Sequence, residues 1–273
     1  MKANLPVYLL LTWLLTLVVI PAFSQQEQPR LTLVQSFPVS SGIAVSTDHT
    51  GTIYLLDQKR NIVQLDSLGR PLTVFSPPVR GRVATIDASN PMKILAFYQD
   101  RQQLLLLDRF LRPISSISLA DFNFDGTIRA AALASEDGFW LFNETDLSLN
   151  KLDTRLRKVI TETPLNLILD REHFDIRMIR EYQNMVYLLD FNGGIYVFDN
   201  LGNYKKKLPF TGISYINFQN NELYFVKENK LHFLDIYTSK IRTENLPAAD
   251  YTAALLHKDQ LYLFTGNIGY LYH

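Results

Sequence analysis

Residues 52–72 read TIYLLDQKRNIVQLDSLGRPL, and residues 94–114 repeat the same arrangement as ILAFYQDRQQLLLLDRFLRPI. Each stretch contains two short apolar runs separated by a polar turn, and the second run ends at an aspartate. In both stretches this aspartate begins the pattern D-x-x-x-R-P, at Asp66 and at Asp108. Short apolar runs bounded by turn residues are typical of β-hairpins. The pair therefore predicts a repeated unit that contains a hairpin.

The rest of the chain continues this repeat. Further pairs of runs occupy residues 139–159, 186–205, 223–241 and 261–273. Another apolar run precedes each pair, at residues 42–47, 82–89, 128–135, 176–182, 213–219 and 251–258. The closing aspartates are Asp66, Asp108, Asp153, Asp199 and Asp235. A period of about 40 residues with four short strands per unit is typical of a propeller blade. The sequence predicts an all-β, six-bladed β-propeller over residues 31–273.

The two ends of the repeat region complement each other. The sixth unit stops after its third strand, and residues 31–37 (LTLVQSF) form an extra strand at the other end. Exposed strand edges invite aggregation, so a ring of sheets needs its open edge covered. We therefore expect the N-terminal strand to join the last blade and close the ring. An open β-sandwich, the alternative, explains neither the number of repeats nor the complementary ends.

The first residues are typical of an export signal. Lys2 is followed by an apolar run from Leu5 to Ile20, and small residues stand at Ala22 and Ser24. We predict a signal peptide over residues 1–24 and a short linker over residues 25–30, with an uncleaved membrane anchor as the alternative. The prediction is an exported protein, periplasmic or extracellular, with no membrane span in its mature form. The 273 residues include no cysteine.

The repeats resemble those of six-bladed propellers of the TolB-like and NHL groups. The resemblance extends over residues 31–273 and concerns the architecture, since the G-H and W-D pairs of WD repeats are absent. It implies a fold that hosts scaffolds, receptors, lactonases and peptidases alike, so it does not select a function. The 27 basic and 27 acidic side chains argue against nucleic acid as a partner.

One loop has the beginning of a calcium-binding motif. Asp121, Asn123 and Asp125 form D-x-N-x-D-G with the following glycine, which places oxygen ligands at alternate positions. The loop resembles the calcium loop of FG-GAP/VCBS propeller repeats. However, the ninth position is Arg129 where an acid is expected, and the twelfth is Ala132, which excludes an EF-hand. Two interpretations stay open: a weak Ca²⁺ site, and a turn in which Arg129 replaces the charge of the metal. No other cofactor is expected.

Charged side chains gather in the connections between blades, which share one face of the predicted disc with the turns between second and third strands. Three arginines on inner strands are placed to point toward the axis. This face, around the axis, is the predicted binding surface, and solvated loops are the alternative interpretation. The candidate binding residues are Arg80, Arg82, Arg129, Asp170, His173, Arg177 and Arg180.

Catalytic signatures are absent, because no H-E-x-x-H, G-x-S-x-G or phosphate-binding glycine motif occurs. Among the residues of the inner strands, Asp87 and Glu181 are exceptional acids. The recurring aspartates and the aromatic residues of the second strands are expected to be structural. We predict a monomeric, non-catalytic binding or scaffold protein for a protein, peptide or glycan of the cell envelope. The alternatives are a metal-dependent propeller hydrolase or lactonase and a structural envelope subunit.

Overall fold

The computed structural model describes residues 31–90, 92–122 and 126–273. The strands of these residues form six four-stranded antiparallel sheets, so the predicted six-bladed β-propeller is confirmed. The predicted signal peptide and linker lie outside the described residues and stay predictions. No helix in the described ranges has the length and hydropathy to cross a membrane.

Blades 1 to 3 each follow the chain from an inner strand at the axis to an outer strand at the rim. Blade 1 contains β2 (Ser46–Thr47), β3 (Ile53–Leu56), β4 (Ile62–Leu65) and β5 (Pro71–Phe75). Blade 2 contains β6 (Val83–Asp87), β7 (Ile94–Tyr98), β8 (Gln103–Leu107) and β9 (Pro113–Ser118). Blade 3 contains β10 (Ile128–Ala134), β11 (Gly138–Asn143), β12 (Ser148–Asp153) and β13 (Lys158–Pro164).

Blades 4 to 6 have the same order, except that the outer strand of blade 6 comes from the other end of the chain. Blade 4 contains β14 (Ile176–Tyr182), β15 (Met185–Asp190), β16 (Gly194–Asp199) and β17 (Tyr204–Leu208). Blade 5 contains β18 (Asn217–Gln219), β19 (Glu222–Lys227), β20 (Lys230–Asp235) and β21 (Ile241–Asn245). Blade 6 contains β22 (Ala253–His257), β23 (Gln260–Phe264), β24 (Ile268–Tyr272) and β1 (Leu33–Pro38). Short 3₁₀ helices span Gln99–Arg101, Leu119–Phe122 and Ser135–Asp137.

Stacking of the blades explains the continuous apolar runs of the sequence. In β3, β4 and β7 every residue is buried, whereas β17 is almost wholly exposed. A middle strand is covered on both sides by the neighbouring blades, so both of its faces must be apolar. The aromatic residues of the second strands fill the space between blades, as predicted. They are Tyr54, Trp140, Tyr187, Tyr224 and Tyr262, each at most 3% exposed.

The ring is closed as predicted, by β1 pairing with β24. The register runs from Leu33 opposite Tyr272 to Pro38 opposite Ile268. Beyond the strands, the Thr32 amide donates to the His273 carbonyl at 2.8 Å, and the His273 amide donates back to Thr32 at 3.0 Å. The edge of blade 6 is therefore covered by the extra strand at the N-terminal end of the repeat region.

The repeated aspartates cap the turns between third and fourth strands, as the repeat predicted. Oδ1 of Asp66 accepts hydrogen bonds from the amides of Leu68 at 2.9 Å and of Arg70 at 2.8 Å. The side chains of the equivalent aspartates bind the amides of their own turns in the same way, at Asp108, Asp153, Asp199 and Asp235. Such Asx turns let a short polar side chain satisfy backbone donors that no strand reaches.

Antiparallel order divides the turns between the two faces of the disc. The first-to-second and third-to-fourth turns share one face, which we call the cavity face. The second-to-third turns and the connections between blades share the other, which we call the opposite face. A residue near the end of an inner strand therefore lies at the cavity face, and a residue near its start lies at the opposite face.

Candidate functional site

A cavity of about 870 Å³ occupies the centre of the cavity face. Ligand pockets usually have about 300–1,000 Å³, so this volume is sufficient for a ligand of several rings. All six blades contribute to its lining, mainly through the turns that follow the inner strands. One lining residue from each blade, in order, is Asp48, Asn90, Ala134, Gln183, Gln219 and His257.

The floor of the cavity contains a buried ion pair. Arg180 of blade 4 and Asp87 of blade 2 are 4% and 1% exposed, and Nη1 of Arg180 contacts Oδ1 of Asp87. Burial acts to lower the pKa of Arg180, but the charge of Asp87 raises it above its ordinary value, so the guanidinium stays charged. Burial raises the pKa of Tyr215, which faces the pair, to about 12. Its neutral hydroxyl donates to the Val45 carbonyl at 2.9 Å.

Two acidic side chains of the inner strands link neighbouring blades beneath the cavity. Oδ2 of Asp87 accepts a hydrogen bond from the Leu133 amide of blade 3 at 3.0 Å. Oε2 of Glu181, on blade 4, accepts hydrogen bonds from Nε1 of Trp140 at 2.6 Å and from the Ser135 amide at 3.2 Å. These bonds fix the positions of blades 2, 3 and 4 relative to the axis, which gives the cavity a rigid lining.

Most other charged groups on the wall of the cavity are also engaged, whereas Lys258 is exposed at the rim. Lys93 of blade 2 forms an ion pair with Asp137 of blade 3. Asp48 of blade 1 accepts hydrogen bonds from the amides of Thr50 at 2.8 Å and Thr52 at 3.1 Å. Burial lowers the pKa of His257, against the opposing charge of Asp48, so its ring is neutral at pH 7.

Blades 4 and 5 build a different wall, which we call the amide wall: Tyr182, Gln183, Asn184, Phe218, Gln219 and Asn220. The rings of Tyr182 and Phe218 are stacked, with centroids 4.5 Å apart and planes 15° apart. The Tyr182 hydroxyl donates to the Asn220 carbonyl, which fixes the ring. The turns are tight, since Gln183 and Asn184 have φ angles of 48° and 60°. This part of the lining is therefore aromatic, rich in amides and uncharged.

A second cavity of about 10 Å³ lies among the inner strands, lined by Thr85, Met178 and Tyr215 among others. This volume holds at most about one water molecule.

At the opposite face, two of the predicted binding residues form a cluster around one carboxylate. Arg177 contacts Asp175 at 2.5 Å, and Arg129 lies 3.6 Å from the same side chain. The Arg177 guanidinium also lies 4.8 Å from the centre of the Phe191 ring. Two cations therefore share Asp175, and both are about one-third exposed.

The remaining predicted binding residues are separated from the cavity, with one exception. Arg80 and Arg82 are exposed in the connection between blades 1 and 2. Asp170 and His173 are exposed in the connection between blades 3 and 4, where Nδ1 of His173 is 3.1 Å from Asp170. Arg180 is the exception, because it lies near the end of its strand and forms the cavity floor. The predicted set thus divides between the two faces.

Of the predicted calcium ligands, Asp121 is exposed at the end of a 3₁₀ helix, whereas Asn123 and Asp125 lie outside the described residues. Arg129 does pair with a carboxylate, but its partner is Asp175 of the next blade. Within the described ranges, no group of three or more histidine and acidic side chains is arranged to hold a metal ion. The Ca²⁺ site stays a prediction.

The chain is similar to several solved β-propellers. It is 14% identical to a streptogramin B lyase, over 89% of this chain and 96% of that one, with a TM-score of 0.62. It is 11% identical to the Cps50 (Swd1) propeller domain of Myceliophteria thermophila, over 89% and 99%, with a TM-score of 0.60. It is 10% identical to BamB of Moraxella catarrhalis, over 89% and 100%, with a TM-score of 0.50. The sequence matches no family model and no curated protein.

Identities this low show a shared fold and nothing more specific. One of the similar proteins is named as a lyase, and the other two are named without an activity. A propeller provides a rigid disc whose turns vary freely, so function has to be argued from the site itself.

Sequence reasoning missed most of the cavity lining, because it assigned binding to the opposite face. A signal was present in the turns after the inner strands. Residues 183–184 and 219–221 read QN and QNN, so amides occur in the first-to-second turns of two adjacent blades.

Proposed function

We propose that this chain is an exported, non-catalytic binding protein of the cell envelope, which recognises a protein, peptide or glycan in its central cavity. The observation that carries the proposal is a central cavity of about 870 Å³ to which all six blades contribute. Its lining is rigid, since blades 2, 3 and 4 are joined beneath it by Asp87 and Glu181. A preorganised lining lowers the entropic cost of binding. Export is supported by the leader-like residues 1–24.

A substitution that fills the cavity tests this proposal. Ser135 is an exposed lining residue whose amide, and not its hydroxyl, binds Glu181. Ser135→Trp should therefore keep the fold and occupy the cavity. Capture of partners from envelope extract by the wild type should be lost in this variant. Ser76→Trp is the matched control, since Ser76 is exposed just after the outer strand of blade 1. Equal capture by both variants would contradict the proposal.

The predicted binding residues of the opposite face require their own comparison. The triple variant Arg82→Ala, Arg129→Ala and Arg177→Ala removes three cations of that face while leaving the cavity lining intact. Under the proposal it keeps the partners that Ser135→Trp loses. Loss of the same partners in the triple variant alone would indicate that the binding site lies on the opposite face.

The second candidate function is a metal-dependent hydrolase or lactonase. One feature favours it: His257, whose ring is neutral at pH 7, lies in the cavity close enough to Asp48 to be influenced by its charge. Neutral imidazole and carboxylate are the usual ligands of catalytic zinc. Melting curves with Zn²⁺, Mn²⁺, Ca²⁺ or chelator, together with lactone hydrolysis assays, test it. A metal-dependent rise in the melting temperature that His257→Ala abolishes would support this function over the first.

A further inference from the structure

We infer that the ligand of the central cavity is a neutral oligosaccharide held against the amide wall. This inference rests on the proposed binding function and specifies its ligand. It is carried by three properties of the cavity: the paired arginine and lysine of its lining, the unpaired amides of blades 4 and 5, and the stacked rings beside them.

The charges of the lining favour an uncharged ligand. Arg180 is paired with Asp87, and Lys93 is paired with Asp137. Glu181 is held by the Trp140 ring nitrogen at 2.6 Å. Apart from Lys258 at the rim, the cations of the lining are already paired, so an anionic ligand would lose its hydration with little compensating charge. The lining therefore selects against strongly anionic molecules.

The amide wall matches hydroxyl groups. Within the described part of the chain, the side chains of Asn184, Gln219 and Asn220 make no hydrogen bond. Each amide group carries both donors and an acceptor. A sugar hydroxyl likewise both donates and accepts, so a pair of hydroxyls can satisfy one amide. The unpaired amide groups of this wall can therefore form hydrogen bonds with the hydroxyl groups of a sugar.

The stacked rings supply the apolar part of the contact. Tyr182 and Phe218 are only half-buried, although their rings are fixed by stacking at 4.5 Å and by the bond from the Tyr182 hydroxyl. A pyranose ring has an apolar face of C–H groups that packs against an aromatic ring. Rigid rings flanked by amides can therefore bind one face and the edge of the same sugar. The cavity volume allows more than one such unit.

A peptide is the competing ligand, because its backbone also donates and accepts hydrogen bonds. Its carboxylates, however, would find Arg180 and Lys93 already paired. The exposed Lys258 at the rim is the main cation left to meet them. The lining therefore favours the sugar over the peptide.

Titration calorimetry on the full chain tests the inference. The probes are neutral oligosaccharides of glucose, mannose, xylose and N-acetylglucosamine, with oligogalacturonate as the anionic counterpart and a mixture of unstructured peptides as the competing class. We expect at least one neutral oligosaccharide to bind. Tyr182→Ala should weaken this binding about tenfold, and Gln219→Ala about threefold. Tyr182→Phe keeps the ring and should bind within about twofold of the wild type.

Controls separate loss of the site from loss of the fold. Tyr204→Ala removes an exposed aromatic from the outer strand of blade 4 and should leave binding unchanged. Circular dichroism must show that the Tyr182→Ala variant is folded. If it is not, Gln219→Ala alone decides the result.

The outcomes distinguish the inference from the proposed function. If only peptides or only oligogalacturonate bind, and Ser135→Trp blocks this binding, the inference of a neutral oligosaccharide is wrong and the proposed binding function is retained. If a neutral oligosaccharide binds, but Ser135→Trp and the amide-wall variants do not weaken this binding, the sugar does not bind in the central cavity. No binding by any probe at millimolar concentration overturns the inference. The proposed function fails only if Ser135→Trp also keeps every partner from the extract.

Discussion

The protein contains two kinds of Asp–Arg pair that share their chemistry and differ in burial. The pair Arg180–Asp87 lies beneath the central cavity and is 4% and 1% exposed. The pair Arg70–Asp66 lies at a turn near the rim and is 72% and 20% exposed. The first joins blades 4 and 2, and the second joins two residues of one turn. The same two residue types thus serve a long-range and a local purpose.

The comparison shows what burial changes. An exposed pair keeps its hydration and gains little from its partner. A buried pair has lost its hydration, so removing one partner leaves a charge that nothing compensates. The rim pair should therefore contribute to stability mainly through the hydrogen bonds of its aspartate. The central pair should contribute mainly because each charge compensates the other.

The largest expected effect comes from removing the central carboxylate. Asp87→Ala leaves the Arg180 guanidinium buried and unpaired, and it removes the acceptor of the Leu133 amide. We expect a loss of about 3–5 kcal/mol in the free energy of unfolding, measured by urea denaturation. A loss no greater than that caused by a rim substitution would contradict the burial argument.

A second variant keeps this prediction testable if Asp87→Ala does not fold. Asp87→Asn combined with Arg180→Met removes both charges and preserves an acceptor for the Leu133 amide. Because no unpaired charge remains, the double variant should be more stable than Asp87→Ala.

The next effect concerns the carboxylate at the rim. Asp66→Ala removes the acceptor of the Leu68 and Arg70 amides, which lie 2.9 and 2.8 Å from Oδ1. The expected loss in the free energy of unfolding is about 1–2 kcal/mol, since part of each bond is replaced by water. Asp66→Asn keeps an acceptor and is the matched control. Equal losses in both variants would show that the charge, and not the turn geometry, is important.

A smaller effect should appear as a dependence on pH. Desolvation acts to raise the pKa of Asp199, but hydrogen bonds from Lys205, Asn203 and Leu201 hold it well below its ordinary value of 3.8. The stabilising contribution is therefore present above the unfolded pKa and is lost as the pH falls through the folded pKa. Urea unfolding from about pH 5 to about pH 2 should show a shallower loss of stability for Asp199→Asn than for the wild type. Parallel curves would contradict this prediction.

The smallest effect is expected for the cation at the rim. Arg70 donates from Nε to Oδ2 of Asp66 at 2.6 Å, but its side chain is largely in water. Arg70→Ala should change the free energy of unfolding by no more than about 1 kcal/mol, and less at high salt. A large loss in the free energy of unfolding that does not depend on salt would show that this pair behaves like the buried pair.

The sequence was most informative where the chain repeats. The aspartates at the ends of third strands recur at intervals of 36 to 46 residues, so one turn geometry could be predicted for all of them. The closing strand was predictable for a related reason, because the last unit is one strand short. Each of these features depends on local hydrogen bonding or on a simple count of strands.

The central site was less predictable, because its residues occur once and come from distant positions. Asp87 and Arg180 are 93 residues apart, and the Gln183 and Gln219 turns belong to different blades. The sequence marked Asp87 and Glu181 as exceptional acids and Arg180 as an axial residue. It could not show that the cavity opens on the face away from Arg82 and His173, since that depends on how far each inner strand extends along the axis.

Pairing of β1 with β24 also has a kinetic consequence. Leu33 is among the first residues of the propeller to leave the ribosome, yet its partner Tyr272 is among the last. Contacts between such distant residues form slowly, because a long loop must be closed before they contribute. Until the final blade emerges, β1 stays an unsatisfied edge that other chains can join. Emergence of β24, and not the folding of any one blade, therefore sets the earliest moment at which this edge is protected from aggregation.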